Sequence, residues 1–170
     1  ARCEFSGAGS QMEVRAGGLS SLSEFVVEDL EFRSNTTRPT ILVGEDTDGP
    51  FIVRRCIFIN SSAASSNVPM VWFHFHGGPM AAAFSDLTFA NNIVFNPSGD
   101  SKVARGGLYL IAGPGSSLGT ETWRVYNNTF YGFFNYSGLV ADAFGSFGST
   151  LNVRNNISMG SGFADFALAF

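Results

Sequence analysis

Charge and long apolar runs are what this sequence has least of. Charged residues make up 14% of its 170 positions, and 10 Lys plus Arg stand against 14 Asp plus Glu, for a net charge of −4. Without a basic cluster, the chain lacks the electrostatic footprint of a nucleic-acid-binding protein. No segment reaches the roughly 18 uninterrupted apolar residues of a membrane helix. Neither nucleic acid as a partner nor a membrane span is therefore expected.

Helix-forming residues and a leader segment are also missing. Few Lys, Glu or Gln accompany 20 Gly and 18 Phe, a balance that disfavours long exposed helices and suits strands. The chain opens on Ala-Arg-Cys-Glu, so an export signal, if the protein has one, should already have been removed. The length suits a single all-β domain over residues 1–170.

One short phrase recurs five times, reading apolar, any, any, Asn-like, apolar. Its copies occupy residues 26–32, 53–59, 89–95, 125–131 and 153–159. A second apolar run, ending near a glycine, lies between consecutive copies. Runs this short, bounded by Gly, Pro, Ser or Asn, predict strands joined by tight turns. A repeat of about 27 to 36 residues fits either a propeller or a solenoid.

Asparagines at one repeat position favour the solenoid. In a chain wound over itself the same turn recurs about 4.8 Å above the last, so one amide can bond the layers above and below. Asn92, Asn128 and Asn156 share such a position, with Asp29 and Cys56 at the earlier ones. Asn also tolerates a left-handed turn backbone. The alternative, that Asn-Asn pairs mark ordinary hairpin turns, stays open.

The phrases at 89–93, 125–130 and 153–157 resemble those of right-handed parallel β-helix proteins, the fold of pectate lyases, polysaccharide epimerases and phage tailspikes. The resemblance implies an all-β, right-handed parallel β-helix of about five to six coils with an asparagine ladder. It spans nearly the whole chain but selects no member of the superfamily, and a fold does not supply a function.

The apolar positions predict which side chains face the core. We expect inward columns of Leu30, Ile57 and Ile93, of Phe32, Ile59 and Phe95, and of Leu42, Phe75, Ile111 and Ala143. Two outward lines would then be Ile41, His74, Leu110 and Asp142, and Val43, His76, Ala112 and Phe144. Because the alternation is weak in these runs, the assignments of the third column and of the two outward lines are open to exchange. A contiguous apolar outer face is typical of a binding or assembly site, unless the aromatics simply fill a wide core.

Aromatic and histidine side chains are the candidates for contacts with another subunit or with sugar rings. They are Trp72, His74, His76, Tyr109 and Phe144. His74 and His76 lie two apart on a strand and share a face, but no third metal ligand is apparent. No catalytic residue and no resident metal site are predicted.

Five Asn-x-Ser/Thr sequons point to the secretory path, although turns of this fold favour Asn and Ser in any case. Asn35, Asn60 and Asn135 follow strand runs and should be exposed, and Asn127 could face out. These four are the predicted N-glycosylation sites. Asn156, at the ladder position, should be buried and unmodified.

An acidic turn and two cysteines are further candidates for metal binding and for a disulfide, but the sequence favours neither. Glu45, Asp46 and Asp48 resemble half a calcium loop, but Arg55 stands where a closing Glu is needed, so a solvated turn is favoured and no cofactor is expected. Cys3 and Cys56 fall about two layers apart, roughly 9.6 Å. A disulfide spans about 4.4 to 6.8 Å between Cα atoms, so two buried thiols are predicted.

Two functions fit these observations. The favoured one is a secreted or cell-surface, N-glycosylated β-helix that joins copies of itself, or a larger extracellular assembly, into a fibre or surface layer. The alternative is a carbohydrate-active domain, either a polysaccharide lyase or epimerase or a polysaccharide-binding module. The lack of a convergent acid, base and cation set argues against an enzyme. The apolar run at 166–170 indicates a fragment of a longer protein or an uncapped subunit.

Overall fold

The computed structural model describes residues 3–7, 12–14, 24–34, 39–43, 50–60, 69–75, 86–97, 106–112, 122–133, 138–143, 150–160 and 166–169. These residues form 17 strands and no helix. Consequently, no helix in the described part of the chain is long and apolar enough to cross a membrane.

In chain order the strands are β1 (Cys3–Gly7), β2 (Met12–Val14), β3 (Phe25–Glu28), β4 (Leu30–Ser34), β5 (Ile41–Val43), β6 (Phe51–Arg54), β7 (Ile57–Asn60), β8 (Val71–Phe75), β9 (Leu87–Ala90), β10 (Ile93–Phe95), β11 (Leu108–Ala112), β12 (Thr122–Tyr126), β13 (Thr129–Tyr131), β14 (Leu139–Ala143), β15 (Thr150–Arg154), β16 (Ile157–Met159) and β17 (Phe166–Ala169).

Each strand from β1 to β14 pairs in parallel with the strand three places further along the chain. The result is three sheets: sheet A (β1, β4, β7, β10, β13, β16), sheet B (β2, β5, β8, β11, β14, β17) and sheet C (β3, β6, β9, β12, β15). Consecutive strands of sheets C, A and B form one layer, and β3 to β5 make the first complete layer. The all-β class and the parallel strand repeat are confirmed, and the arrangement is consistent with a parallel β-helix or solenoid.

Each recurring phrase spans two strands and the corner between sheets C and A. The corner residue has a left-handed backbone in all five layers, at Asp29 (φ 58°), Arg55 (φ 55°), Asn91 (φ 57°), Asn127 (φ 56°) and Asn155 (φ 52°). Asn and Asp adopt this conformation more readily than other non-glycine residues. The expectation that Asp29 shares the position of Asn92 is therefore wrong by one residue, because Asp29 aligns with Asn91.

The inward column of sheet A differs from the expected one. Phe32, Phe58, Val94 and Phe130 are fully buried, and the rings of Phe32 and Phe58 stack with centroids 5.0 Å apart. Ile57 and Ile93 each precede one of these buried residues and pair with each other on the opposite side of the sheet. Ile93 is 44% exposed. Phe32 was assigned inward correctly, whereas the inward assignments of Ile57, Ile59, Ile93 and Phe95 were wrong.

Sheet B shows the same exchange of faces. Ile41, Val43 and Leu110, expected to face out, are fully buried, and Leu42, expected to face in, is half buried. A strand in which every residue is apolar gives no phase for the period-two alternation, so only the corner geometry fixes which face is buried.

Candidate functional site

Asn92, Asn128 and Asn156, here called the corner amides, each follow a left-handed corner residue. The backbone N–H of Asn92 donates to Oδ1 of Asn128 at 2.9 Å, and that of Asn128 to Oδ1 of Asn156 at 3.0 Å. Each Nδ2 also donates to a strand carbonyl of the preceding layer, as Asn128 does to Phe89 at 2.9 Å. Every corner amide thus bonds its own layer to the one before it.

Cys56 occupies the corner-amide position of the second layer. Its backbone N–H donates to Oδ1 of Asn92 at 2.9 Å. Its Sγ lies 3.7 Å from the carbonyl oxygen of Val27, the counterpart of the Val53 carbonyl that Asn92 reaches. Burial raises the pKa of the thiol, although a backbone hydrogen bond from Leu30 opposes this. The thiol therefore has the same two kinds of backbone neighbour as an amide would have.

The thiol of Cys56 is free and buried. Cys3 pairs with Leu30 on the neighbouring strand. Glu31 pairs with Ile57, so the preceding residues, Leu30 and Cys56, hold equivalent positions in successive layers. The register thus separates the two cysteines by two strand positions, as their spacing in the sequence predicted.

A second stack of amides, which the sequence reasoning missed, lies where the sheet A strands end. Nδ2 of Asn60 donates to Oδ1 of Asn96 at 3.1 Å, and Nδ2 of Asn96 donates to the carbonyl oxygen of Gly132 at 2.8 Å. Gly132 has a φ of 86°, and a Cβ there would overlap the Asn96 carbonyl oxygen. The equal spacing of Asn60, Asn96 and Gly132 along the chain was the available signal.

The outer side of sheet A carries a set of uncharged side chains that we call the apolar face. It consists of Ile57, Ile59, Ile93, Phe95, Thr129, Tyr131, Ile157 and Met159. Four of them are strongly exposed: Ile93 (44%), Tyr131 (40%), Ile157 (56%) and Met159 (52%). The ring centroids of Phe95 and Tyr131 lie 5.4 Å apart. Contiguous exposed apolar surface is typical of interaction sites.

Charge borders the apolar face in the first layer. Glu31, one strand below Ile57, pairs with Arg33 at 2.5 Å and is 5% exposed. The next four layers of the face present no charged side chain among the described residues. Such a surface selects against a strongly charged partner, because desolvating the partner's charges would go uncompensated.

An ion-pair cluster joins the first two layers at the corner of sheets C and A. Arg54 bonds Glu28 at 2.6 Å, and Arg55 contacts both Asp29 at 2.7 Å and Glu28 at 2.9 Å. Hydrogen bonds from Arg54 and Arg55 hold the pKa of Glu28 and of Asp29, respectively, below their ordinary values. Because all four charges are satisfied within the cluster, it is better suited to fixing two layers than to binding an ion.

Of the predicted contact residues, Trp72 and Tyr109 lie together in the described part of the chain. The rings of Trp72 and Tyr109 meet edge to face on adjacent strands of sheet B, 6.2 Å between centroids, and Tyr109 is only 7% exposed. The backbone of His74 pairs with Ile111, which pairs with Asp142. His76 and Phe144 lie outside the described residues.

Three of the five sequon asparagines fall within the described part of the chain. Asn127 is exposed, as expected. Asn60 is 5% exposed, so the expectation of an exposed turn position is wrong; it ends β7, and its amide is used between layers. Asn156 is half buried rather than fully buried. Asn35 and Asn135 lie outside the described residues.

The residues of the calcium-like turn, Glu45, Asp46 and Asp48, also lie outside the described part. Within that part, no group of three or more His, Cys, Asp or Glu side chains is placed to hold a metal ion.

Comparison with known proteins identifies no relative of this chain. No protein-family model, curated protein or solved structure matches this chain. The function is therefore inferred from the chain's own residues.

Proposed function

We propose that this chain is a closed, right-handed parallel β-helix with an asparagine ladder, and that it is a secreted or cell-surface structural protein that assembles with copies of itself. The layer-to-layer hydrogen bonds of Asn92, Asn128 and Asn156 support the ladder. Parallel pairing of every third strand supports the winding. The apolar face of sheet A carries the functional part of the proposal.

A second copy of the chain is the occupant that best suits the apolar face. Its exposed side chains recur at the strand spacing of about 4.8 Å, and an identical face offers the same spacing in return. Two such faces can pack as the sheets of a β-sandwich do, about 10 Å apart. The absence of charge from the described part of the face in four layers removes like-charge repulsion from this self-contact. The contact would be isologous, with each copy contributing the same residues.

The test is the oligomeric state across concentration. Sedimentation velocity from about 1 μM to about 1 mM protein should show reversible self-association. An interface of modest size can supply the binding free energy that corresponds to dissociation constants in this range. The double variant Ile93→Lys with Tyr131→Lys should remain monomeric, because it places charges in the contact. The matched control, Val26→Lys with Asn152→Lys on the outer side of sheet C, should associate like the parent.

Two results would contradict the proposal. One is a parent protein that stays monomeric throughout the concentration range. The other is equal dissociation by the sheet C control, which would show that added charge acts non-specifically.

Polysaccharide binding is the second candidate, and the ring pair of Phe95 and Tyr131 on the apolar face favours it. Aromatic rings exposed on a flat surface stack on sugar rings. Tyr131→Ala should then weaken retention of the protein on immobilised polysaccharide such as pectin or alginate. Absorbance of unsaturated products during incubation with the same polymers would indicate a lyase.

A further inference from the structure

The corner of sheets C and A holds five left-handed residues, and three of them are exposed asparagines: Asn91, Asn127 and Asn155. Only Asn127 among the three is followed two positions later by a hydroxyl residue, Thr129. The corresponding residues after Asn91 and Asn155 are Ile93 and Ile157. The corner therefore presents one sequon between two geometrically equivalent sites that lack the motif.

We infer that Asn127 is an N-glycan acceptor in the folded, exported protein, whereas the sequons at Asn60 and Asn156 are not used. This inference rests on the secretory part of the proposed function. It does not depend on self-association through the apolar face.

The side chain of Asn127 is available for modification. It is exposed at a corner, and it makes no hydrogen bond to the residues that the structure describes. Its backbone N–H alone is engaged, donating to the carbonyl oxygen of Arg154 at 3.2 Å. A sugar on Nδ2 would therefore cost no interaction between layers.

At the other two described sequon asparagines, the amide nitrogen that would carry a glycan already donates a hydrogen bond between layers. Nδ2 of Asn60 donates to Asn96, and the residue is 5% exposed, which leaves no room for a sugar. Nδ2 of Asn156 donates to the carbonyl oxygen of Val125 at 2.8 Å, while its Oδ1 accepts from Asn128. A glycan on either amide nitrogen would disrupt the packing between layers, so molecules modified there should not reach the folded state.

The reaction needs a lipid-linked oligosaccharide diphosphate as the donor and a membrane transferase as the catalyst. A bond forms between Asn127 Nδ2 and C1 of the first sugar, and the bond from that C1 to the diphosphate oxygen breaks. The lipid diphosphate leaves with the bonding electron pair, and one amide proton is released. Thr129 supplies the hydroxyl that the acceptor motif requires.

The experiment measures site occupancy in protein secreted from eukaryotic cells. Asn35→Gln and Asn135→Gln are introduced first, which removes the two sequons outside the described residues. Enzymatic deglycosylation in heavy-oxygen water then labels each formerly occupied Asn for peptide mapping. We expect one glycan per chain, at Asn127, and none at Asn60 or Asn156.

Matched variants test the corner geometry. Thr129→Val should abolish the glycan, and Thr129→Ser should retain it. Ile93→Thr creates a sequon at Asn91 in the same left-handed, exposed setting, so this variant should gain a second glycan. A variant that fails to be secreted is translated into microsomes, where occupancy is compared at Asn91 and Asn127 alone, because chains in microsomes are not selected for folding.

An unmodified Asn127 in the secreted parent would overturn the inference, as would glycans on Asn60 or Asn156 in soluble, folded protein. Self-association is measured separately, by sedimentation velocity of the enzymatically deglycosylated protein, so its failure does not affect the mapping of glycan sites. The two proposals can therefore fail independently.

Discussion

Two asparagines side by side have different tasks at the corner of sheets C and A. In the third layer, Asn91 supplies a φ of 57° and is exposed, whereas Asn92 is 1% exposed and bonds the neighbouring layers. The sequence showed the Asn-Asn pairs and singled out their second member. It did not show that the left-handed backbone belongs to the first member, because both residues have the same side chain.

Replacing the thiol in the second layer should extend the amide contacts by one layer. Cys56→Asn would let Nδ2 donate to the Val27 carbonyl and Oδ1 accept from the Leu30 N–H, as Asn92 does one layer on. Each net hydrogen bond contributes about 1 kcal/mol, and the two amide bonds replace weaker contacts of the thiol with the same backbone groups. We therefore expect the free energy of unfolding to rise by about 1 kcal/mol in urea titrations. Cys56→Ala is the control and should lower it. An Asn variant less stable than the Ala variant would contradict the prediction.

At the scale of the strand, the corners decide which residues are buried. Ile93, Val94 and Phe95 are all apolar, so alternation along β10 cannot be read from hydrophobicity. Val94 is fully buried and Ile93 is 44% exposed. The sequence predicted strand structure here correctly but treated each phrase as one continuous run. It therefore missed the corner between β9 and β10 and set the phase of β10 wrongly.

Adjacent substitutions in β10 test the phase. Val94→Asp places a carboxylate in the core without a partner and should cost more than about 4 kcal/mol, enough to unfold the domain. Ile93→Asp lies on the apolar face and should cost about 1 kcal/mol or less, the span of strand propensities. Thermal unfolding followed by circular dichroism distinguishes the two. Comparable destabilisation by both would mean that the outer face is itself covered.

At the scale of the whole molecule, layers are joined by backbone pairing, corner amides and a few ion pairs. Asp86 in the third layer accepts the Thr122 backbone N–H at 2.8 Å and contacts Arg124 of the fourth layer at 3.1 Å. The backbone hydrogen bond, and then Arg124, hold the pKa of Asp86 below its ordinary value of 3.8.

Acid should therefore weaken the stack. A carboxyl group whose pKa is lower in the folded than in the unfolded state stabilises fully above about pH 4, and this contribution is lost as the pH falls through the folded value. Asp86→Asn should make the decline of unfolding free energy between about pH 5 and pH 2 shallower than in the parent. Denaturant titrations at several pH values measure the unfolding free energy and hence its slope with pH. Parallel slopes for parent and variant would show that Asp86 contributes nothing to the pH dependence.

The sequence by itself determined the all-β class and the repeat, because these follow from apolar runs and turn residues that recur along the chain. Its repeated asparagines favoured parallel pairing over hairpins, and the strand register established it. The tertiary structure alone decided that each repeat holds three strands, that Phe58 and Val94 face in, and that Asn60 is buried between layers. Those outcomes depend on where the left-handed corner residues turn the chain and on which residue then lies against the next layer. Neither is encoded in the order of apolar and polar residues within a single run.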